Sequence, residues 1–291
     1  MSPELLQFLI TGLTLGAMYA LAAVGFSMVY AASGLINFAQ GEFIMVGGMV
    51  AATSYAAGAP LAVAVLLGIS ASCLCGVLVE KLAVAPARRA DPISLIIITM
   101  GAALVIRGVV QATLGKDSHG LPAFSGEGVL HIGGATFVPQ VLWVLGATLL
   151  AAISLAYFFF GTVAGKAMRA VSYNQLAAQL LGIGLKRTML LAFLISAALG
   201  GIGGVVLAPI TYTNFDIGTT MVLKGFTAAT LGGLGSVGGA LAGGLVLGVA
   251  EALAAGYVSS AYKDAVAFLV LIAVLFVRPQ GIFGARASDR V

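Results

Sequence analysis

The residues able to carry chemistry in this chain are few, and they sit inside apolar runs. Glu42 lies in INFAQGEF beside Asn37 and Gln40, Arg107 in the run near 93–114, Lys224 at the start of 222–234 and Glu251 in 237–256. Charges in lipid are rare, and they face a cavity or a partner. Asn37 and Gln40, three apart, share a helix face, whereas Asn37 and Glu42, five apart, align poorly. Two readings stay open for this cluster. It marks the inner end of a translocation path, or it satisfies the freed backbone of a broken helix. Arg107 and Glu251 read better as residues that snorkel or pair within a bundle. Proton-coupled transport would need a titrating acid deep in the chain, and Glu42 and Glu251 are the acids so placed.

Other chemistries find little support. No Ser/His/Asp or Cys/His arrangement stands out. Cys73 and Cys75, two apart in an apolar run, face different sides of a helix and read as small packing residues. His119 and His131 lack the surrounding carboxylates or thiols that a metal needs. The nearest phosphate-loop match is GTVAGKA at 161–167. It is one residue short between its glycines, has Ala167 where a magnesium-holding Ser or Thr belongs, and follows an apolar run rather than a buried strand. The expectation is a chain with no enzymatic activity, no bound cofactor or metal and no nucleic-acid partner. The net charge of +4 reflects where its loops lie.

What positions the polar residues is a membrane. Of 291 residues, 60% are hydrophobic and 8% charged, against about a quarter charged in soluble domains; mean hydropathy is +1.11. Runs this long and unbroken span bilayers as helices, because backbone groups in lipid must be satisfied internally. The fold class is all-α: a polytopic transmembrane bundle occupying 1–291 as one domain. Spans are expected near 6–30, 38–57, 61–80, 93–114, 140–160, 189–209, 222–234, 237–256 and 264–277. The short run at 222–234 reads as a half-helix or re-entrant segment, so the count is eight to ten. The first run lacks a basic leading region, so no cleavable signal is expected.

Orientation follows the cations. Lys81, Arg88 and Arg89, then Lys166, Arg169, Lys186 and Arg187, then Arg278, Arg286 and Arg290 fall on one side if the spans alternate; Lys116, Lys224 and Lys263 fall on the other. The rich side is cytoplasmic and the N-terminus outside. In the external loop 115–139, β-capable residues flank Gly133-Gly134 and predict a small hairpin. Gly12 and Gly16, and Gly235, Gly239 and Gly243, recur at the four-residue spacing that lets helices approach closely in lipid. A helix break is expected near Gly232–Gly239, with Gly232 and Gly235 helping to shape a pathway.

The cytoplasmic loop 161–187 carries a short amphipathic helix near 174–181, with Asn174 or Ser172 as N-cap and Gly182 as stop. Leu176, Ala177, Leu180 and Leu181 recur on one face. By residues alone, that face suits lipid and a partner protein equally.

The run RAVSYNQLAAQLLGI resembles the coupling loop of permease subunits of ATP-binding-cassette importers. YALAAVGFSMVYAASGLINFAQGEFIMVGG, KGFTAATLGGLGSVGGALAGGLVLGVAE and RPQGIFG closely resemble the branched-chain amino-acid permease family, H-type subunit. The likeness covers nearly the whole chain. It implies a bacterial inner-membrane importer with two cytoplasmic ATPases that bind ATP and magnesium, a second permease (an M-type relative or a second copy) and an external solute-binding protein. It assigns ATPase coupling to Arg169, Asn174, Leu176, Ala177, Ala178, Leu180, Leu181 and Gly182. Family members often carry an acidic residue where this chain has Leu176, which bears on which ATPase fits. The expected cargo is a branched-chain amino acid. Urea, amides or aromatic acids, and ion-coupled transport, stand as alternatives.

Overall fold

Apolar side chains leave the backbone to bond to itself, and it does so almost wholly as helix. The computed structural model describes residues 3–88, 90–126 and 128–284. In chain order come α1 (Pro3–Ser33), α2 (Gln40–Ala56), α3 (Leu61–Leu78) running on into a π-helical turn (Val79–Val84), and α4 (Pro92–Leu114). Strands β1 (Leu130–Ile132) and β2 (Ala135–Phe137) follow, then α5 (Gln140–Gly161), α6 (Val163–Tyr173) and α7 (Gln175–Leu180). The remainder is α8 (Leu185–Thr211), α9 (Ile217–Gly232), α10 (Val237–Tyr257), a 3-10 turn (Ser260–Tyr262) and α11 (Lys263–Val277).

Among the described residues, seven helices are long and apolar enough to cross a membrane. Of the remaining four, α2 and α9 have 17 and 16 residues. At 1.5 Å per residue they reach about 25 Å, short of the ~30 Å hydrocarbon layer. The short seventh run thus exists, but its helix starts at Ile217 rather than 222. The helix α4 starts at Asp91, whose side chain accepts from the Ile93 and Ser94 amides at 3.1 Å. The Ser94 hydroxyl and these amides hold the Asp91 carboxyl below the usual carboxylate range.

The centre is formed by α1, α2, α8, α9 and α10, while α4 and α11 are mostly uncovered. Small residues set the central spacing. A Cβ added at Gly12 would lie 2.7 Å from Val249 Cα, and one at Gly16 2.8 Å from Leu245 Cα. The α1–α10 contact therefore needs glycine, as the spacing predicted.

Two halves of the chain repeat one another. Asn37-Phe38, Gly41, Gly48 and Ala51-Ala52-Thr53 recur at identical spacing as Asn214-Phe215, Gly218, Gly225 and Ala228-Ala229-Thr230. Their turns match bond for bond. Asn37 Oδ1 accepts from the Ala39 amide (3.1 Å), as Asn214 Oδ1 does from Asp216 (3.0 Å). The Glu42 amide donates to Ala39 O and the Thr219 amide to Asp216 O, both at 3.1 Å. α1 and α8 run antiparallel, with Gly25 beside Ser196 and Leu21 beside Gly203. The chain therefore holds an inverted pair, α1–α4 and α8–α11, and the short helices α2 and α9 are counterparts.

The ends of the bundle sort by charge. Arg88 and Lys186 share a groove with Ser33, and Arg169 lies with Ala31 and Gly235. At the other end, Gln7 holds both backbone groups of Thr136 (2.8 and 2.9 Å), and His119 and Thr213 exchange backbone bonds of 2.8 Å. The predicted hairpin forms there, with Gly133 and Gly134 at φ 57° and 88° as a tight turn of that hand requires. His131 Nδ1 meets Thr136 Oγ1 at 3.3 Å, an ordinary cross-strand contact. Lys224 is not in an outer loop as the alternation implied; it is buried in α9. Arg89, Arg286 and Arg290 lie outside the described residues.

Candidate functional site

The polar cluster at the start of α2 is fully interior: Asn37 and Gln40 are 0% exposed and Glu42 is 1%. Gln40 ties three helices together. Its Nε2 donates to Ser196 O (3.2 Å), and its Oε1 accepts from the Ser196 hydroxyl, which also reaches Gly25 O at 3.0 Å. Asn37 Oδ1 closes the turn before α2, while its Nδ2 has no partner. Glu42 Oε1 accepts from Arg107 Nη2 at 2.5 Å, and Arg107 Nη1 reaches the exposed Asp216 at 3.4 Å. Glu42 Oε2 and Arg107 Nε are buried without partners.

This ionic chain sits where the repeats meet. A Cβ on Gly41 would strike Gly218 O and lie 2.8 Å from Val222 Cβ, and a Cβ on Gly218 would lie 2.8 Å from Glu42 Oε2. The first turns of α2 and α9 thus abut inside the bundle and bring two positive helix-dipole ends to the junction, a setting that favours a carboxylate. Gly41→Val should cost about 1–3 kcal/mol by overpacking, whereas Gly101→Ala on α4, where a Cβ meets nothing within 4 Å, should be neutral or slightly stabilising. Melting curves of both variants in detergent check this.

A second buried cluster binds α9, α10 and α11. Lys224 Nζ pairs with Glu251 and, at 2.6 Å, with Asp264; the Tyr19 hydroxyl donates to Glu251 Oε2 at 2.8 Å. Glu251 therefore pairs within the bundle, as one of the two sequence readings had it. In each repeat, an ionic tether links the short helix to the outlying fourth helix: α2 to α4, and α9 to α11.

The helix break expected near Gly232–Gly239 is present: α9 ends at Gly232 and α10 begins at Val237, with Gly233 and Gly235 at φ 108° and 84°. Gly232 is buried against Gly239, and Gly235 lies by Tyr30. The RPQGIFG segment closes this end. The Ile282 and Phe283 amides donate to Leu231 O and Gly232 O at 2.9 and 3.0 Å, capping carbonyls that α9 leaves free.

On the cation-rich end, α7 is built as its sequence reads. Asn174 Oδ1 accepts from the Ala177 amide (3.0 Å), so Asn174 rather than Ser172 is the cap, and Gly182 stops the helix at φ 83°. Leu176, Leu180 and Leu181 are 69%, 81% and 81% exposed, with Ala177 beside them. Ala178 departs from the expected contact set: it is 2% exposed and seats α7 on the body. Arg169 lies on α6, stacked over Phe160 at 4.7 Å.

The reading of single residues missed the Glu42–Arg107–Asp216 chain and the Lys224–Glu251–Asp264 knot, whose members are far apart in sequence. The repeated Asn-Phe-x-x-Gly is the sequence signal that could have located the junction where the first of them lies.

An all-helical, multi-pass membrane protein made of two inverted repeats, with ionic residues buried at their junction, is a transport permease in architecture. The chain belongs to the family described as "Branched-chain amino acid transport system / permease component", which matches residues 8–275. It is 37% identical to the high-affinity branched-chain amino acid transport system permease protein LivH of Escherichia coli K12, over 100% of both chains. It is 34% identical to BraD, of the same description, from Pseudomonas aeruginosa, over 98% of both. The ribose import permease protein RbsC of Escherichia coli K12 is 28% identical over 88% of this chain and 81% of its own. Among solved structures, PsaBC from Streptococcus pneumoniae in complex with Fab shares the fold at TM-score 0.50 and 16% identity, covering 95% of this chain and 92% of that one. The chain is thus a permease component of a branched-chain amino acid transport system.

Proposed function

We propose that this chain forms half of the path of an ATP-binding-cassette importer for leucine, isoleucine and valine in a bacterial cytoplasmic membrane. The observation that carries the reading is α7: an apolar knob of Leu176, Leu180 and Leu181 left uncovered by the chain at the cation-rich end. Its place among the cations of 161–187, on a capped helix of its own, favours a partner protein over lipid tails. Two cytoplasmic ATPases, holding ATP and magnesium, seat on it through 161–187. A second permease, an M-type relative or another copy, completes the path. The joined surface of 115–139 and 212–220 receives an external solute-binding protein, and the His119–Thr213 bridge supports treating these segments as one surface. Asn37, Gln40, Glu42, Gly232 and Gly235 line or shape the path from the junction to the inner end.

Vesicles holding the assembled transporter should accumulate leucine only with ATP inside the ATPase compartment and binding protein on the opposite face. Accumulation driven by a proton or sodium gradient without ATP would defeat the reading. Uptake of urea or an aromatic acid in place of leucine would keep the machine and change its cargo.

A further inference from the structure

We propose that Glu42 and Arg107 form a receptor for the zwitterionic head of an α-amino acid, occupied at rest by their own ion pair; the proposal rests on the functional reading above. The pair supplies one cation and one carboxylate 2.5 Å apart inside the bundle. Each partner keeps unused capacity: Glu42 Oε2 and Arg107 Nε are buried and bonded to nothing. Buried unpaired polar atoms are costly, so the resting arrangement is incomplete on both charges. Glu42 is 99% buried, and its free oxygen is aimed at Gly218 in the first turn of α9. Arg107, set beside that turn, makes a carboxylate seat, which Glu42 fills in place of a ligand.

The seat has an approach from outside. Arg107 also reaches Asp216, whose side chain is 64% exposed at the outer end. The guanidinium thus spans a deep acid and a surface acid. An arriving amino acid exchanges partners with the resting pair. Its α-carboxylate takes Glu42's place on Arg107, beside the α9 turn, and its α-ammonium neutralises the displaced Glu42. Beside the pair lies an apolar cluster of Met45, Met49, Ile106, Val110 and Ile217. It offers an aliphatic side chain a wall without shape-specific polar groups. The permease would read the head common to all three cargoes and leave the side chain to the delivery protein.

The test uses the assembled transporter in vesicles, with leucine-loaded binding protein, and reads leucine carried per ATP hydrolysed. Glu42→Gln and Arg107→Gln should lower that ratio tenfold or more. Arg107→Lys keeps the cation and the packing stem but loses the planar fork, and should fall between. A purely structural role would lower assembly and uptake together and leave the ratio unchanged. A ratio within twofold of wild type in assembled Arg107→Lys and Glu42→Gln overturns the receptor while the importer reading stands. Failure of the wild type to carry leucine defeats the importer reading, and the receptor with it.

Discussion

Lys224→Met should cost this protein roughly 3–5 kcal/mol, the loss expected when one member of a buried ion pair is removed and the other is left unpaired. Lys224 is 5% exposed and Glu251 1%. Without the ammonium, Glu251 keeps only the Tyr19 hydroxyl, in surroundings that cannot hydrate it. The damage should extend to α11, which packs mainly on α10 and α9 and holds Lys224 through Asp264. The double variant Lys224→Met, Glu251→Gln removes both charges and should recover more than half of the loss, because the cost lies in the orphaned carboxylate. Thermal unfolding in detergent measures both. A single variant as stable as wild type, or a double variant worse than the single, would show that the pair does not hold the bundle together.

How much of this architecture the sequence discloses depends on the range of the interaction responsible. The long helices follow from the apolar runs, since a hydrophobic stretch needs no distant partner to be read. The hairpin and the α7 cap are equally local: Gly133-Gly134 dictates its own turn, and Asn174 bonds three residues on. The start of α9 was hidden because Asn214, Asp216 and Thr219 read as loop. Only the match with 37–42 reveals a helix entering the bundle there. Lys224 reads both as a charge at the start of a span and as a cation of the outer side; its partners, 27 and 40 residues away, place it inside the bundle. Arg107 and Glu42 each raised suspicion alone, yet their union depends on α4 passing α2, which no periodicity encodes. Ala178 joins the coupling set only through the family resemblance, whereas six residues of helix suffice to turn it inward.

Leu180→Arg should abolish ATP-driven uptake, by a factor of about 100 or more, without touching the fold. Leu180 is 81% exposed and bears no buried contact whose loss would matter; surface substitutions of this kind change stability within about 0.5 kcal/mol. In a partner's groove, the same guanidinium would replace an apolar anchor with a charge that must be desolvated. A hundredfold loss in association corresponds to about 2.7 kcal/mol, within reach of one such misplaced charge. Ala178→Arg makes the contrast: at 2% exposure, it should lower melting temperature and yield, because it forces α7 off the body. The two variants therefore separate docking from folding, one losing ATPase co-purification with a normal melt and the other losing both. If Leu180→Arg retained the ATPases and carried leucine at the wild-type rate, α7 would not be where force enters, and the lipid-facing reading of its apolar side would take its place.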